Sequence, residues 1–214
     1  MMPRRPAADL VRALLLSYTF VAAANPARGA WSATGLWHQI PDVSGPGGRL
    51  FASLTPDTWW YGQDATGDYD TGAANSGSLT TTPFTVSAGD FLMFSSWEET
   101  EVAMTFDTRW LSISTDGGFS WTPLRQLFGP TASWYQPRVD LAPYVGQTAL
   151  FRFDFDTVDD VFNNFGGWYV DDLYVGPAAA LTATLTVIPP AAAVGQWVTV
   201  EMTVTNEGSL SALS

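Results

Sequence analysis

The stretch Leu150-Phe151-Arg152-Phe153-Asp154-Phe155-Asp156 alternates apolar and polar residues. A period of two puts the three Phe on one face of a strand and Arg152, Asp154 and Asp156 on the other. The same rhythm, cut by turn residues, runs from Trp31 to Val175, and no segment sustains a helical period. The pattern predicts strands over Gly35–Ile40, Leu50–Leu54, Thr58–Tyr61, Gly77–Thr81, Phe91–Trp97, Val102–Trp110, Leu111–Ser114, Trp121–Leu127, Trp134–Leu141, Ala149–Asp156 and Trp168–Val175. Turn signals separate them: Pro46-Gly47-Gly48, Ala88-Gly89-Asp90, Asp116-Gly117-Gly118 and Gly166-Gly167. Many strands without intervening helices imply an antiparallel all-β sandwich or barrel. Their number and spacing suit a jelly roll.

One turn is specified in detail. Ser114-Thr115-Asp116-Gly117-Gly118-Phe119-Ser120-Trp121 fits the pattern S-x-D-x-G-x-x-W, the Asp-box. Asp116 is placed to accept from backbone amides that follow it, while Gly117 and Gly118 tolerate positive φ. Trp121 re-enters the sheet and covers the hairpin. Asp116, Gly118 and Trp121 are therefore structural turn residues, and the box carries no chemistry of its own.

Of the 214 residues, 46% are hydrophobic, with 10 Trp, 7 Tyr and 13 Phe. This aromatic load favours strands and a sizeable core. The absence of Cys rules out disulfides, so stability rests on packing and on any bound metal. Formal net charge is −12, and Arg4, Arg5, Arg12 and Arg28 all precede residue 30. Beyond that segment 5 Arg face 20 acids, a balance of −15. Such a surface repels nucleic acid and anionic lipid and suits divalent cations, cationic surfaces or neutral substrates such as glycans.

Residues 1–30 read as a signal peptide. Arg4 and Arg5 precede the apolar run Ala13–Ala24, and Ala22-Ala23-Ala24 gives an A-x-A cleavage pattern. A run of twelve residues is too short for the ~20 of a membrane span. The expected location is secreted or cell surface. Residues 31–176 form the sandwich, 177–181 a linker, and 182–214 two strands too few to bury a core of their own.

The order of motifs carries a resemblance. Gly35-Leu36-Trp37-His38 is followed by Trp59-Trp60-Tyr61-Gly62, Tyr69-Asp70-Thr71-Gly72, the box, Val139-Asp140-Leu141-Ala142-Pro143 and Gly167-Trp168-Tyr169-Val170-Asp171-Asp172-Leu173. This resembles the MAM-like jelly-roll module appended to immune inhibitor A-type secreted bacterial metallopeptidases and surface proteins. Thr182–Ser211 looks like the opening of an Ig-like bacterial adhesion repeat, truncated here. The peptidase zinc motif H-E-x-x-H needs two His and the chain has only His38, so proteolysis does not carry over. The resemblance implies a structural Ca²⁺ between an early loop and the last strand, pointing to Asp70 and to Asp171 or Asp172.

For catalysis, Glu98-Glu99-Thr100-Glu101 is the densest carboxylate cluster, and glycoside hydrolysis needs two opposed carboxylates. The laminarinase-type E-x-D-x-E spacing is absent, and the one His leaves a Ser nucleophile without a base. Glycan recognition needs outward rings. The doublets Trp59-Trp60 and Trp134-Tyr135 each offer one member to either face of a strand. The sequence thus reads as a secreted, non-catalytic accessory or adhesion module of a larger polypeptide, with glycan or an extracellular protein surface as partner. A structural spacer is the alternative and a glycoside hydrolase the third reading.

Overall fold

A computed structural model describes residues 31–41, 57–101, 103–129, 132–177, 181–188 and 199–206. The predicted signal peptide, the strand expected at Leu50–Leu54 and most of the linker lie outside the described residues.

Thirteen strands are described: β1 (Ser32–Ala33), β2 (Trp37–Pro41), β3 (Asp57–Tyr61), β4 (Ser76–Thr80), β5 (Phe84–Thr85), β6 (Asp90–Glu99), β7 (Thr108–Ser114), β8 (Thr122–Gln126), β9 (Arg138–Asp140), β10 (Thr148–Asp156), β11 (Gly167–Pro177), β12 (Leu181–Ile188) and β13 (Thr199–Asn206). One antiparallel sheet has the order β1-β4-β10-β7-β8, with β5 also on β10, and the other has the order β2-β3-β11-β6-β9. The chain passes from one sheet to the other at most connections, the wrapping of a jelly-roll sandwich. Among the described strands, β12 and β13 pair only with each other.

The core follows from the alternation. Phe151, Phe153 and Phe155 of β10 point inward with Leu111 and Ile113 of β7 and Leu79 of β4, and all are at most 1% exposed. Trp37, Trp59, Tyr61, Phe94, Trp168 and Val170 meet them from the other sheet. Phe94 packs edge-on against Phe153 at 4.9 Å, and Trp168 against the same ring at 5.8 Å.

Two differences from the sequence reading matter. Where the sequence predicts two strands, over Val102–Trp110 and Leu111–Ser114, the structure has one, Thr108–Ser114. The residues before it cross between sheets, and Asp107, with φ 48°, makes the corner. β11 carries a bulge: Asp171 pairs with Ser95 and Tyr174 with Met93, so Asp172 and Leu173 together face one residue of β6. Asp172 takes φ 49° there, the left-handed conformation open to Asp and Asn.

The described sheet edges are blunt. β1 has two residues and β9 three, β2 ends at Pro41, and β8 contains Pro123.

Candidate functional site

The doublets named by the sequence do not present open rings. Alternation sends Trp59 into the core, where it stacks on Trp31 at 6.0 Å and 4°. Trp60 faces away from the core but is only 5% exposed. Its ring stacks on Tyr169 at 5.5 Å, and its Nε1–H donates to the Gly166 carbonyl at 2.8 Å. Ile40, Trp60 and Tyr169 thus form a second apolar cluster on the outer face of the five-stranded sheet, flanked by half-buried Trp97 and Trp134. Burial, with the charge of Glu99 adding to it, pushes the Tyr169 phenol up to about 12. Tyr135 is half-buried too, and its hydroxyl donates to Glu98. The expectation of an exposed ring at Trp59 or Trp60 is corrected: neighbouring aromatics occupy the outer face that alternation had left vacant.

The carboxylates expected to hold calcium sit in separate elements. Asp70 is exposed in the β3–β4 connection and accepts the Gly72 amide at 2.8 Å. Asp171 is 1% exposed in β11 and accepts from Thr58 Oγ1 at 3.0 Å and from the Asp172 amide at 2.7 Å. Asp172 accepts from Ser95 Oγ at 3.0 Å. Among the described residues no three His, Cys, Asp or Glu side chains gather as a metal-binding group.

The Glu98 cluster is a buried bolt between the sheets. Glu98 faces inward at 2% exposure and meets Arg109 of β7, at 3% exposure, with Nε to Oε2 at 3.1 Å. The Gly129 amide (2.9 Å), Ser96 Oγ (3.2 Å) and the Tyr135 hydroxyl also donate to it. Arg109 further donates to Thr100 Oγ1 at 2.5 Å and to the Asp107 carbonyl. Alongside, Asp107 Oδ2 accepts from Tyr69 at 2.5 Å and from the Glu101 amide at 2.8 Å, while its Oδ1 is buried without a partner. Desolvation raises the Asp107 carboxyl above its ordinary range. Every Glu98 oxygen is engaged by protein donors, and Glu101 lies past the end of β6. The carboxylate run therefore does not present a facing pair to solvent. His38 is half-buried, with Nδ1 2.8 Å from the Leu36 carbonyl and Nε2 3.4 Å from Asp64.

The outer face of the six-stranded sheet is different. Its outward positions include Ser78 on β4, Arg152 and Asp154 on β10, and Trp110 and Ser112 on β7. Trp110 is 37% exposed and pairs directly with Asp154 across the strands. Such partners have Cβ atoms ~4.5–5.5 Å apart. Arg152 Nε binds Asp154 at 2.7 Å from Oδ1 and 2.9 Å from Oδ2. Ser78 Oγ donates to Oδ1 at 2.6 Å, and Ser112 Oγ approaches Oδ2 at 3.5 Å. The Arg152 guanidinium lies over the Trp121 ring at 4.3 Å.

The Asp-box turn holds Trp121 in that position. Asp116 accepts from Ser120 N–H at 3.0 Å, Ser120 Oγ at 2.5 Å and Ser114 Oγ at 2.7 Å, which holds its carboxyl well below the usual range. Gly117 and Gly118 take φ 79° and 95°, and Trp121 Nε1 donates to the Gly118 carbonyl at 3.2 Å. The result is one open indole beside a polar row whose charges are already paired. Its residues were legible in part: Arg152 and Asp154 are the outward members of the alternating stretch. Trp110 was missed because a strand boundary was drawn at it.

No family model matches the chain. Bacillopeptidase F of Bacillus subtilis (strain 168) is 27% identical over 161 residues, which cover 72% of this chain and 10% of that protein. The chain therefore spans about a tenth of the length of the curated relative it matches. Among solved structures, TmCBM61 in complex with beta-1,4-galactotriose has TM-score 0.46 and 13% identity, covering 71% of this chain and 90% of its own. A family 35 carbohydrate binding module from Clostridium thermocellum has TM-score 0.38 and 13% identity, covering 71% and 95%. Among the described residues no helix is long and apolar enough to cross a membrane.

Proposed function

We propose that this chain is a non-catalytic accessory module of a larger exported protein, and that it binds glycan on the outer face of its six-stranded sheet. One observation carries the reading: Trp110 lies open beside the fixed row of Arg152, Asp154, Ser78 and Ser112. An indole face stacks on the C–H surface of a sugar ring, and adjacent polar groups held in place fix its orientation with little ordering cost. The acidic surface turns away nucleic acid, and a neutral polymer meets no such repulsion. The apolar run at Ala13–Ala24 supports export, and the small share of the matched relative supports a module within a longer chain.

Calorimetric titration against a panel of neutral polysaccharides tests this. Trp110→Ala should weaken binding roughly 2- to 12-fold, the equivalent of ~0.5–1.5 kcal/mol for an aromatic contact beyond its buried area. The melting temperature should stay unchanged, because the ring is outside the core. Absence of binding across the panel would leave the chain as a structural spacer.

A further inference from the structure

On the reading of this face as a glycan site, we propose that Asp154 sets its ligand class: it restricts the face to neutral glycans by holding Arg152, and its removal admits carboxylated ones. Arg152 is the group a uronate would seek, since guanidinium binds carboxylates through paired N–H donors. In the folded chain the guanidinium already has an internal counter-charge, held at its Nε. Asp154 engages Nε at 2.7 Å, two residues away on the same strand and face. The pair is partly shielded, with side-chain exposures of 28% and 25%, so its attraction is less screened than that of a fully exposed pair.

The remaining contacts make the arrangement fixed. Ser78 holds Asp154 Oδ1 from the neighbouring strand at 2.6 Å, and Trp121 lies under the guanidinium at 4.3 Å. The Asp-box turn in turn fixes Trp121. A ligand carboxylate arriving at Arg152 would also meet the Asp154 charge, with exposed Asp156 two residues further on. Like charges at that range are repulsive, so discrimination here works by exclusion as well as by attraction. Neutral hydroxyls meet no such penalty and can accept from the Nη groups that Asp154 leaves unengaged.

The test compares wild type, Asp154→Asn, and Asp154→Asn with Arg152→Gln, titrated with polygalacturonate and with the neutral panel. Wild type should not bind polygalacturonate measurably. Asp154→Asn should gain at least about tenfold in affinity for it, and the gain should fade between about 0.05 and about 0.5 M salt, as an unpaired guanidinium requires. The double variant should lose the gain. Asp154→Ser, which keeps a hydroxyl for Ser78, repeats the experiment in case the Asn variant folds poorly. Wild-type binding of polygalacturonate, or folded Asp154 variants that gain none, overturns the proposal. Failure of wild type on every neutral glycan sinks the glycan reading instead, and the two failures are read from separate titrations.

Discussion

Replacing Glu98 with Leu should be among the most damaging single changes in the sandwich. The carboxylate is 2% exposed and receives Arg109, the Gly129 amide, Ser96 and Tyr135. Leu removes all four acceptor contacts and strands the Arg109 charge, itself 3% exposed, with only Thr100 and one carbonyl. Breaking a buried pair from one side costs ~3–5 kcal/mol, against ~0–1 kcal/mol for a surface pair. That is a large share of the ~5–15 kcal/mol that holds a typical domain together. At ~2–4 °C per kcal/mol for a domain of this size, the melting temperature should fall by roughly 6–20 °C. Urea unfolding followed by Trp fluorescence gives the free energy directly. The double variant Glu98→Leu/Arg109→Met should be less damaged than Glu98→Leu alone, because no unpaired charge remains inside. A single-variant loss below ~1 kcal/mol would refute the reasoning, placing the bolt among pairs that water already screens.

Two further outcomes follow from the same chemistry. Desolvation raises the Asp107 carboxyl, so the native chain binds its proton more tightly than the unfolded one, and stability from this group falls as pH rises from about 4 through the raised value. Asp107→Asn does not titrate, so its stability relative to wild type should improve as pH rises from about 4 through the raised value; a difference independent of pH counts against this. If the structural Ca²⁺ implied by the resemblance binds through Asp70 and Asp171 or Asp172, melting in millimolar Ca²⁺ should exceed melting in chelator by a few degrees, as expected for a site of ~10⁻⁴ M affinity worth ~1.4 kcal/mol at ~1 mM ion. Identical curves end it.

Period-two patterning made the sandwich legible, because each inward Phe of β10 is set by parity alone. Parity also put Trp59 inside and Trp60 outside. It could not say that Tyr169, more than a hundred residues later in the chain, would cover Trp60, since cross-strand neighbours depend on which strands pair. The site on the other sheet failed to emerge for a related reason. Trp110 stood at an assumed strand end, and only the crossover through Asp107 shows that it lies inside β7, opposite Asp154. Local signals recovered the Asp-box turn because all its partners lie within eight consecutive residues. The bulge at Asp172 and Leu173 was not legible, because a register shift between paired strands leaves no composition signal.

The blunt sheet edges bear on crowding. Pro123 cannot donate to a further strand, Pro41 closes β2, and β1 and β9 are too short to template one. An exposed ladder would let copies zip edge to edge wherever the local concentration is high. Domains with such edges can be laid side by side, or strung in tandem, and remain separate units.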